Sequence, residues 1–294
     1  MSRMAARVLL CVTAAFWAAA TLVAHAQQHK IEVKVQLVEL HATVFDHRGR
    51  YLDGLGKEQF EIRDNGELCE IISFEPVASS FSCAILMDRT GSVQNALPVI
   101  KNSIIRFIDS LREGDWMAVY DFNLVLRKVL DFTQDKNAAK KAVLRAIAAG
   151  QTALFDSVSH VSLELSSRQG KKAIVAFTDG QDNSSFLNSA TVAHRAKSLG
   201  IPLYFIAQGE ALKERKLIEA LEEMSRATAG ETFTIERPSE VAKVFQSISK
   251  ELRHSYMLTY NPPPITDSKW RTIKLSIKDV KNARIRVREG YFPK

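Results

Sequence analysis

At 294 residues the chain is long enough for one large domain and a smaller one. An apolar fraction of 46% and a charged fraction of 25% are those of ordinary globular proteins, which excludes a chain that is disordered throughout. The net charge of +7 permits an anionic partner but does not demand one.

Arg3 and Arg7 precede an apolar stretch from Val8 to Val23, and Ala24-His25-Ala26 follows as a small-x-small site. This pattern predicts a cleaved secretory signal over residues 1–26 and an exported mature chain, periplasmic or extracellular. An uncleaved anchor is the alternative. The apolar stretch is shorter than the ~20 residues a spanning helix needs, and the polar run Gln27-Gln28-His29-Lys30 follows it. The mature chain is therefore expected to lack a transmembrane segment. Leu10 stands before Cys11 where a lipid-modified cysteine would want a small residue, so lipidation is not expected. Export would leave Cys69 and Cys83 in an oxidising compartment, where they could pair. Otherwise Cys83 is a small apolar residue in a buried strand.

Residues 27–79 read as β-rich. Ile31, Val33, Val35 and Leu37 alternate with Glu32, Lys34 and Gln36 in a half-buried strand to Thr43, ended by the turn Asp46-His47-Arg48-Gly49. Glu61-Ile62-Arg63 runs into Asp64-Asn65-Gly66, which is hairpin chemistry, and Ile71 to Val77 is a further strand. From Ser82 strands alternate with helical patterns, the signature of a doubly wound, mostly parallel α/β sheet. Val93, Leu97, Ile100, Ile104, Phe107 and Leu111 recur at helical spacing. Trp116 to Phe122 is a strand and Val125 to Phe132 an antiparallel edge. Lys136 to Ala149 and Leu154 to Ser166 are predicted helices on either side of Thr152. Strands at Ala173 to Phe177 and Pro202 to Ala207 are separated by a helix through Ala193. Leu212 to Ala227, Glu231 to Ile235 and Val241 to Leu252 complete the alternation.

Pro262-Pro263-Pro264 then interrupts the chain. Beyond it, Ile273, Leu275 and Ile277, then Ala283, Ile285 and Val287, predict a hairpin joined by Lys278 to Asn282. Neither flank can bury its apolar face alone. The expectation is that residues 257–294 pack with 27–79 in a β-rich flanking subdomain, with the α/β domain of residues 80–256 inserted between them. Lys274, Lys278, Arg284, Arg286 and Arg288 fill the polar alternation of that hairpin and read as a solvated face. With no aromatic interleaving, a nucleic-acid partner is not expected.

The chemistry centres on Ile85-Leu86-Met87-Asp88-Arg89-Thr90-Gly91-Ser92, an apolar strand that ends in an acid followed by two hydroxyls. Ligands of open α/β sheets bind at that end of a strand. One carboxylate and two hydroxyls there make a hard-oxygen set suited to Mg²⁺, Mn²⁺ or Ca²⁺. Two later pieces strengthen it. Thr152 stands where a helix begins, and Ala173 to Thr178 is a second buried strand that ends in Asp179.

In order and spacing, Asp88, Thr90, Ser92, Thr152 and Asp179 resemble the metal-ion-dependent adhesion site of von Willebrand factor A domains, Asp-x-Ser-x-Ser followed by Thr and Asp. Thr90 replaces the usual serine and keeps the hydroxyl. The resemblance covers about Ser80 to Tyr256. The flanks, with Gly54-Leu55-Gly56-Lys57-Glu58-Gln59-Phe60 and Arg288-Glu289-Gly290-Tyr291, resemble the VWFA-related proteins first grouped in Acidobacteria. The resemblance implies a divalent metal, Mg²⁺ first with Mn²⁺ or Ca²⁺ as substitutes. The hydroxyls of Thr90, Ser92 and Thr152 would touch the metal, and Asp88 and Asp179 would act mainly through water. A partner protein would supply an Asp or Glu carboxylate to the open coordination position, in adhesion rather than catalysis.

Two other readings follow from the residues. One is an envelope scaffold whose contacts avoid the metal site, and the other is a metal-dependent hydrolase. Asp88 after a buried strand is superficially similar to aspartyl-phosphate phosphatases, but Thr90 stands where those carry a second acid. Gly-x-Ser-x-Gly, His-Glu-x-x-His and P-loop motifs are absent, so no enzyme is expected. His160 and His194 have no paired ligand nearby in sequence. Asp182 and Asn183 shape the rim of the site or satisfy loop backbone groups. Arg89 selects an acidic partner or faces solvent.

Overall fold

The computed structural model describes residues 37–76, 79–280 and 282–293, and of Ser92 and Pro238 only the backbone. The expected signal segment at 1–26 and the start of the first strand at Ile31 lie outside the described residues. The chain opens with β1 (Val38–Phe45), β2 (Phe60–Asp64), β3 (Glu67–Cys69) and β4 (Ile71–Glu75). Asn65 and Gly66 join β2 to β3 with φ of 50° and 88°, the paired left-handed geometry of a type I′ hairpin turn.

The chain then enters the α/β alternation. In order come β5 (Phe81–Asp88), α1 (Leu97–Ser110), β6 (Trp116–Phe122), β7 (Leu126–Thr133), α2 (Lys136–Leu144), α3 (Leu154–Ser166) and β8 (Lys171–Thr178). After these follow α4 (Ser189–Leu199), β9 (Leu203–Ala207), α5 (Arg215–Ala227), β10 (Glu231–Thr234) and α6 (Val241–Arg253). Six strands form the central sheet in the order β10-β9-β8-β5-β6-β7, parallel throughout except for β7. From β5 the chain moves outward to β6 and β7, and later to β8, β9 and β10 on the other side. The gap between β5 and β8 at their C-terminal ends is therefore the topological switch point, where open sheets of this kind bind ligands.

Alternate residues of each strand supply two separate cores, as a sheet covered on both faces requires. Cys83, Ile85 and Met87 face Ile100, Ile104, Phe107, Phe245 and Ile248 of α1 and α6. Ala84 and Leu86 face Val158, Val161 and Leu165 of α3, with Val192 and Leu221 from α4 and α5. The second predicted helix stops at Leu144 rather than Ala149. Lys101 Nζ donates to the carbonyls of Leu144 and Ala146, which holds the chain end in a turn.

After α6 come β11 (Ser255–Tyr260), β12 (Arg271–Ile277), β13 (Arg284–Arg286) and β14 (Gly290–Tyr291). They complete two antiparallel sheets of four strands, β13-β1-β11-β4 and β14-β12-β2-β3. The N- and C-terminal segments therefore share a third core, with Leu40, Val44, Phe60, Ile62, Tyr256, Tyr260 and Leu275. The boundary expected at 256 falls inside β11, which belongs to the flank. The predicted C-terminal hairpin does not form either, because β12 pairs with β2 and β14 whereas β13 pairs with β1. Asp279 and Asn282, at φ 62° and 58°, turn the connecting segment between the two sheets.

Of the basic residues of this segment, Lys274, Lys278 and Arg284 are exposed as expected, whereas Arg286 and Arg288 are not part of a solvated face. Arg286 bridges Glu251 and Glu231, each at 2.8 Å. Arg288 is buried and donates to the carbonyls of Lys197 and Glu39. Asp64 is fully buried at the centre of the flank. Its Oδ1 accepts from Arg271 Nε at 2.7 Å, and its Oδ2 accepts from the hydroxyls of Tyr260 at 2.9 Å and Tyr291 at 2.8 Å. A Cβ on Gly290 would stand 2.2 Å from the Arg271 carbonyl, so the strand next to Tyr291 needs glycine.

Cys69 and Cys83 are both free and lie in different cores. Burial pushes both thiols above the ordinary cysteine range. Native protein is expected to leave Cys83 unmodified by a soluble disulfide reagent, with full reaction only in denaturant. Rapid labelling of Cys83 in native protein, located by peptide mapping, would contradict this burial.

Candidate functional site

The sheet register brings the two acid-terminated strands level. Met87 pairs with Phe177, so Asp88 and Thr178 end β5 and β8 side by side. Asp88 is fully buried, and both its carboxylate oxygens are held. Oδ1 accepts the Thr90 N–H at 2.9 Å, and Oδ2 accepts the Thr178 hydroxyl at 2.9 Å. Burial raises the Asp88 pKa against the pull of these hydrogen bonds.

Thr90 directly precedes a short 3-10 turn, Gly91–Asn95, that contains Ser92. Thr152 lies just before α3, and Asp179 directly follows β8. Backbone bonds join the three loops. Gly91 N–H donates to Gly150 at 3.3 Å and Ala149 N–H donates to Arg89 at 2.6 Å. The N–H groups of Asn183 and Ser184 both donate to the Thr152 carbonyl, at 3.2 and 3.1 Å. Asn123, from the β6–β7 turn, accepts the Ala153 N–H at its carbonyl and donates Nδ2 to the Ala149 carbonyl. Gly150, at φ +89°, leaves a would-be Cβ only 2.8 Å from that same Asn123 Nδ2, so the loop carrying Thr152 can close only on glycine.

The neighbours of the motif take structural parts. Asp182 Oδ2 accepts the Phe155 N–H at 2.8 Å, and Asn183 Oδ1 accepts the Thr152 N–H at 3.2 Å. Both therefore satisfy loop backbone rather than stand free at the rim. Arg89 neither faces solvent nor is available to a partner, because its Nε lies 3.0 Å from Asp121 Oδ1. Arg127 clamps the other oxygen of the same buried Asp121 at 2.6 Å. His160 and His194 are exposed, and His194 stacks on Phe292.

Asp88, Thr90, Thr152 and Asp179 are all buried, at 5% exposure or less, on loops hydrogen-bonded to one another. Among the described residues there is no cluster of three or more His, Cys, Asp or Glu able to hold a metal. An ion here would thus draw on hydroxyl oxygens as well as carboxylates. That donor chemistry fits a hard divalent cation of the Mg²⁺, Mn²⁺ or Ca²⁺ class. Sequence reasoning missed Thr178, Asn123 and Asp121. Thr178 stands beside Asp179 and could have been found from strand register, whereas Asn123 and Asp121 act through contacts with loops distant in sequence.

The von Willebrand factor type A domain model matches residues 83–248, more than half the chain. An uncharacterised protein of Synechocystis is 25% identical over 177 residues, which are 57% of this chain and 40% of that one. The chain thus spans about two fifths of that relative's length. Among solved structures, a von Willebrand factor type A protein from Catenulispora acidiphila is similar at a TM-score of 0.54 and 15% identity, over 86% of this chain and 73% of that one. Proximal thread matrix protein 1 of the mussel byssus, with its MIDAS motif occupied by zinc, gives 0.52 at 20% identity over 63% and 48% of the two chains. A variant of the PilB minor pilin from Streptococcus sanguinis gives 0.51 at 11% identity, over 61% and 63%. With two acid-terminated strands at the switch point and a family match across the whole alternating region, the chain belongs to the von Willebrand factor type A domain family.

Proposed function

We propose that this protein binds a partner protein through a divalent cation held by Asp88, Thr90, Ser92, Thr152 and Asp179. The observation that carries the reading is the joining of three loops at the switch point, with both Asp88 oxygens fixed by Thr90 and Thr178. A cation held largely by neutral hydroxyls keeps positive charge to attract an Asp or Glu of the partner. Mg²⁺ leads because it prefers a few protein oxygens and retains water, with Mn²⁺ or Ca²⁺ as substitutes. Binding rather than catalysis is the role this arrangement serves. Export supports it, through the charged, apolar and small-residue pattern that ends at Ala26. Among the described residues no helix is long and apolar enough to cross a membrane. The zinc-occupied site of the byssus protein makes Zn²⁺ a necessary competitor in the test.

Titration calorimetry of Mg²⁺, Mn²⁺ and Zn²⁺ into EDTA-stripped protein is expected to show one saturable site that Asp179→Ala abolishes, with the far-ultraviolet spectrum unchanged. Heats that are unsaturable, or identical in the variant, would move the reading to a scaffold whose contacts do not use metal.

A further inference from the structure

Four large apolar side chains stand exposed on the loops that carry or brace the candidate site. Phe186 is 99% exposed, Ile147 75%, Val125 62% and Leu124 55%. Single exposed apolar residues need no explanation, but a group of them beside one site marks an interaction surface.

The backbone beneath each is held. Asp156, in the first turn of α3 after Thr152, accepts the N–H groups of Phe186 and Leu187, both at 2.9 Å. Ile147 lies between Ala146, whose carbonyl receives Lys101 Nζ, and Ala149, whose N–H reaches Arg89. Leu124 and Val125 form the tip of the β6–β7 turn. There Asn123 Oδ1 accepts both the Val125 N–H and an Arg89 guanidinium N–H, each at 3.0 Å. Apolar groups held in place before binding lose little conformational entropy when a partner covers them.

Charge narrows the partner. Residues 123–126, 144–153 and 180–188 contain one cation, Arg145, and one acid, Asp182. The Asp182 carboxylate is already taken by the amides of Phe155 and Ser185. Apart from the charge a bound cation brings, these loops offer apolar and neutral polar groups.

We infer that the partner segment presents its metal-binding Asp or Glu between aliphatic or aromatic residues, which pack on Phe186, Ile147 and the Leu124-Val125 tip. This rests on the metal-dependent reading above and specifies the partner's chemistry. The acids on the neighbouring segment after β9 are already engaged, Glu214 by Gln181 and Glu210 by Lys213, so a lysine- or arginine-rich segment has little to pair with here.

The test is selection of displayed peptides with one fixed central Asp or Glu and randomised flanks, on the full chain, in Mg²⁺ and in EDTA. Expected is Mg²⁺-dependent enrichment of peptides with apolar neighbours of the acid. Phe186→Ser combined with Ile147→Ser should weaken a selected peptide about tenfold or more, as loss of two apolar anchors would. Both positions are exposed, so Mg²⁺ affinity by calorimetry should not change. Mg²⁺-dependent peptides without apolar preference, bound equally by the double variant, would overturn the inference and leave the metal reading intact. Apolar peptides bound equally well in EDTA would overturn it by separating the apolar surface from the metal. Absence of any Mg²⁺-dependent peptide, from protein that binds Mg²⁺ saturably, would also overturn it. Failure of the metal titration itself would instead remove the reading on which it stands.

Discussion

Asp64→Ala is expected to lower the unfolding free energy by about 3–5 kcal/mol, the cost of removing one partner from a buried ion pair. The Arg271 side chain is only 10% exposed, and it would lose its carboxylate in an interior that cannot solvate it. The hydroxyls of Tyr260 and Tyr291 would lose their acceptor in the same change. Asp64→Asn keeps an acceptor and should cost less. Because Asp64, Tyr260 and Tyr291 come from three distant parts of the chain, the loss falls on the flanking sheets as a unit. Chemical denaturation of the three proteins, followed by tyrosine fluorescence, would check it. A midpoint for Asp64→Ala within error of the parent would show that the cluster does not hold the flank together.

A second large effect should appear in acid. His41 lies on β1, buried, with Nε2 making no hydrogen bond among the described residues. Burial, followed by the charges of Lys172, Lys171 and Arg288, lowers its pKa from 6.5 to about 3. The folded protein therefore keeps His41 neutral while the unfolded chain takes up a proton as the pH falls below 6.5. Stability from this group is intact above pH 6.5 and is lost progressively as the pH falls toward 3. Between pH 6.5 and 4.5 the loss comes to about 2 kcal/mol, because the slope reaches its full value of about 1.4 kcal/mol per pH unit only once the unfolded imidazole is mostly protonated. His41→Phe removes the titrating group and should flatten that part of the profile, whatever it does to stability at pH 7. Denaturation midpoints at pH 7 and pH 4.5 for both proteins would decide the matter. Parallel pH profiles would mean that other groups govern acid unfolding.

The α/β alternation, the polar ends of the strands before Asp88 and Asp179, and the type I′ turn at Asn65-Gly66 were all legible in the sequence. Each is a local rule: hydrophobic period, a strand end, or a pair of residues that tolerate positive φ. The five candidate donors were likewise visible as types and spacings along the chain. Their juxtaposition depended on strand order, because β5 and β8 become neighbours through a crossover that no local pattern encodes. Arg89 illustrates the difference. In sequence it could face a partner or solvent, but the antiparallel return of β7 brings Arg127 to Asp121, and the shared carboxylate holds both arginines. Arg286 and Arg288 illustrate it again, since alternation placed them on a polar face with the exposed Arg284 and tertiary packing engaged these two with α6, α4 and β1.

By itself, then, the sequence determined what short-range chemistry can specify: the order of strands and helices, the turn residues, and the acids and hydroxyls available at two strand ends. Tertiary structure decided which of those groups meet, that the C-terminal strands join separate sheets, and which charges are paired. Those outcomes depend on contacts between residues far apart in the chain. Their free energy comes from packing and from hydrogen bonds made out of reach of water, which no residue can form with its sequence neighbours alone.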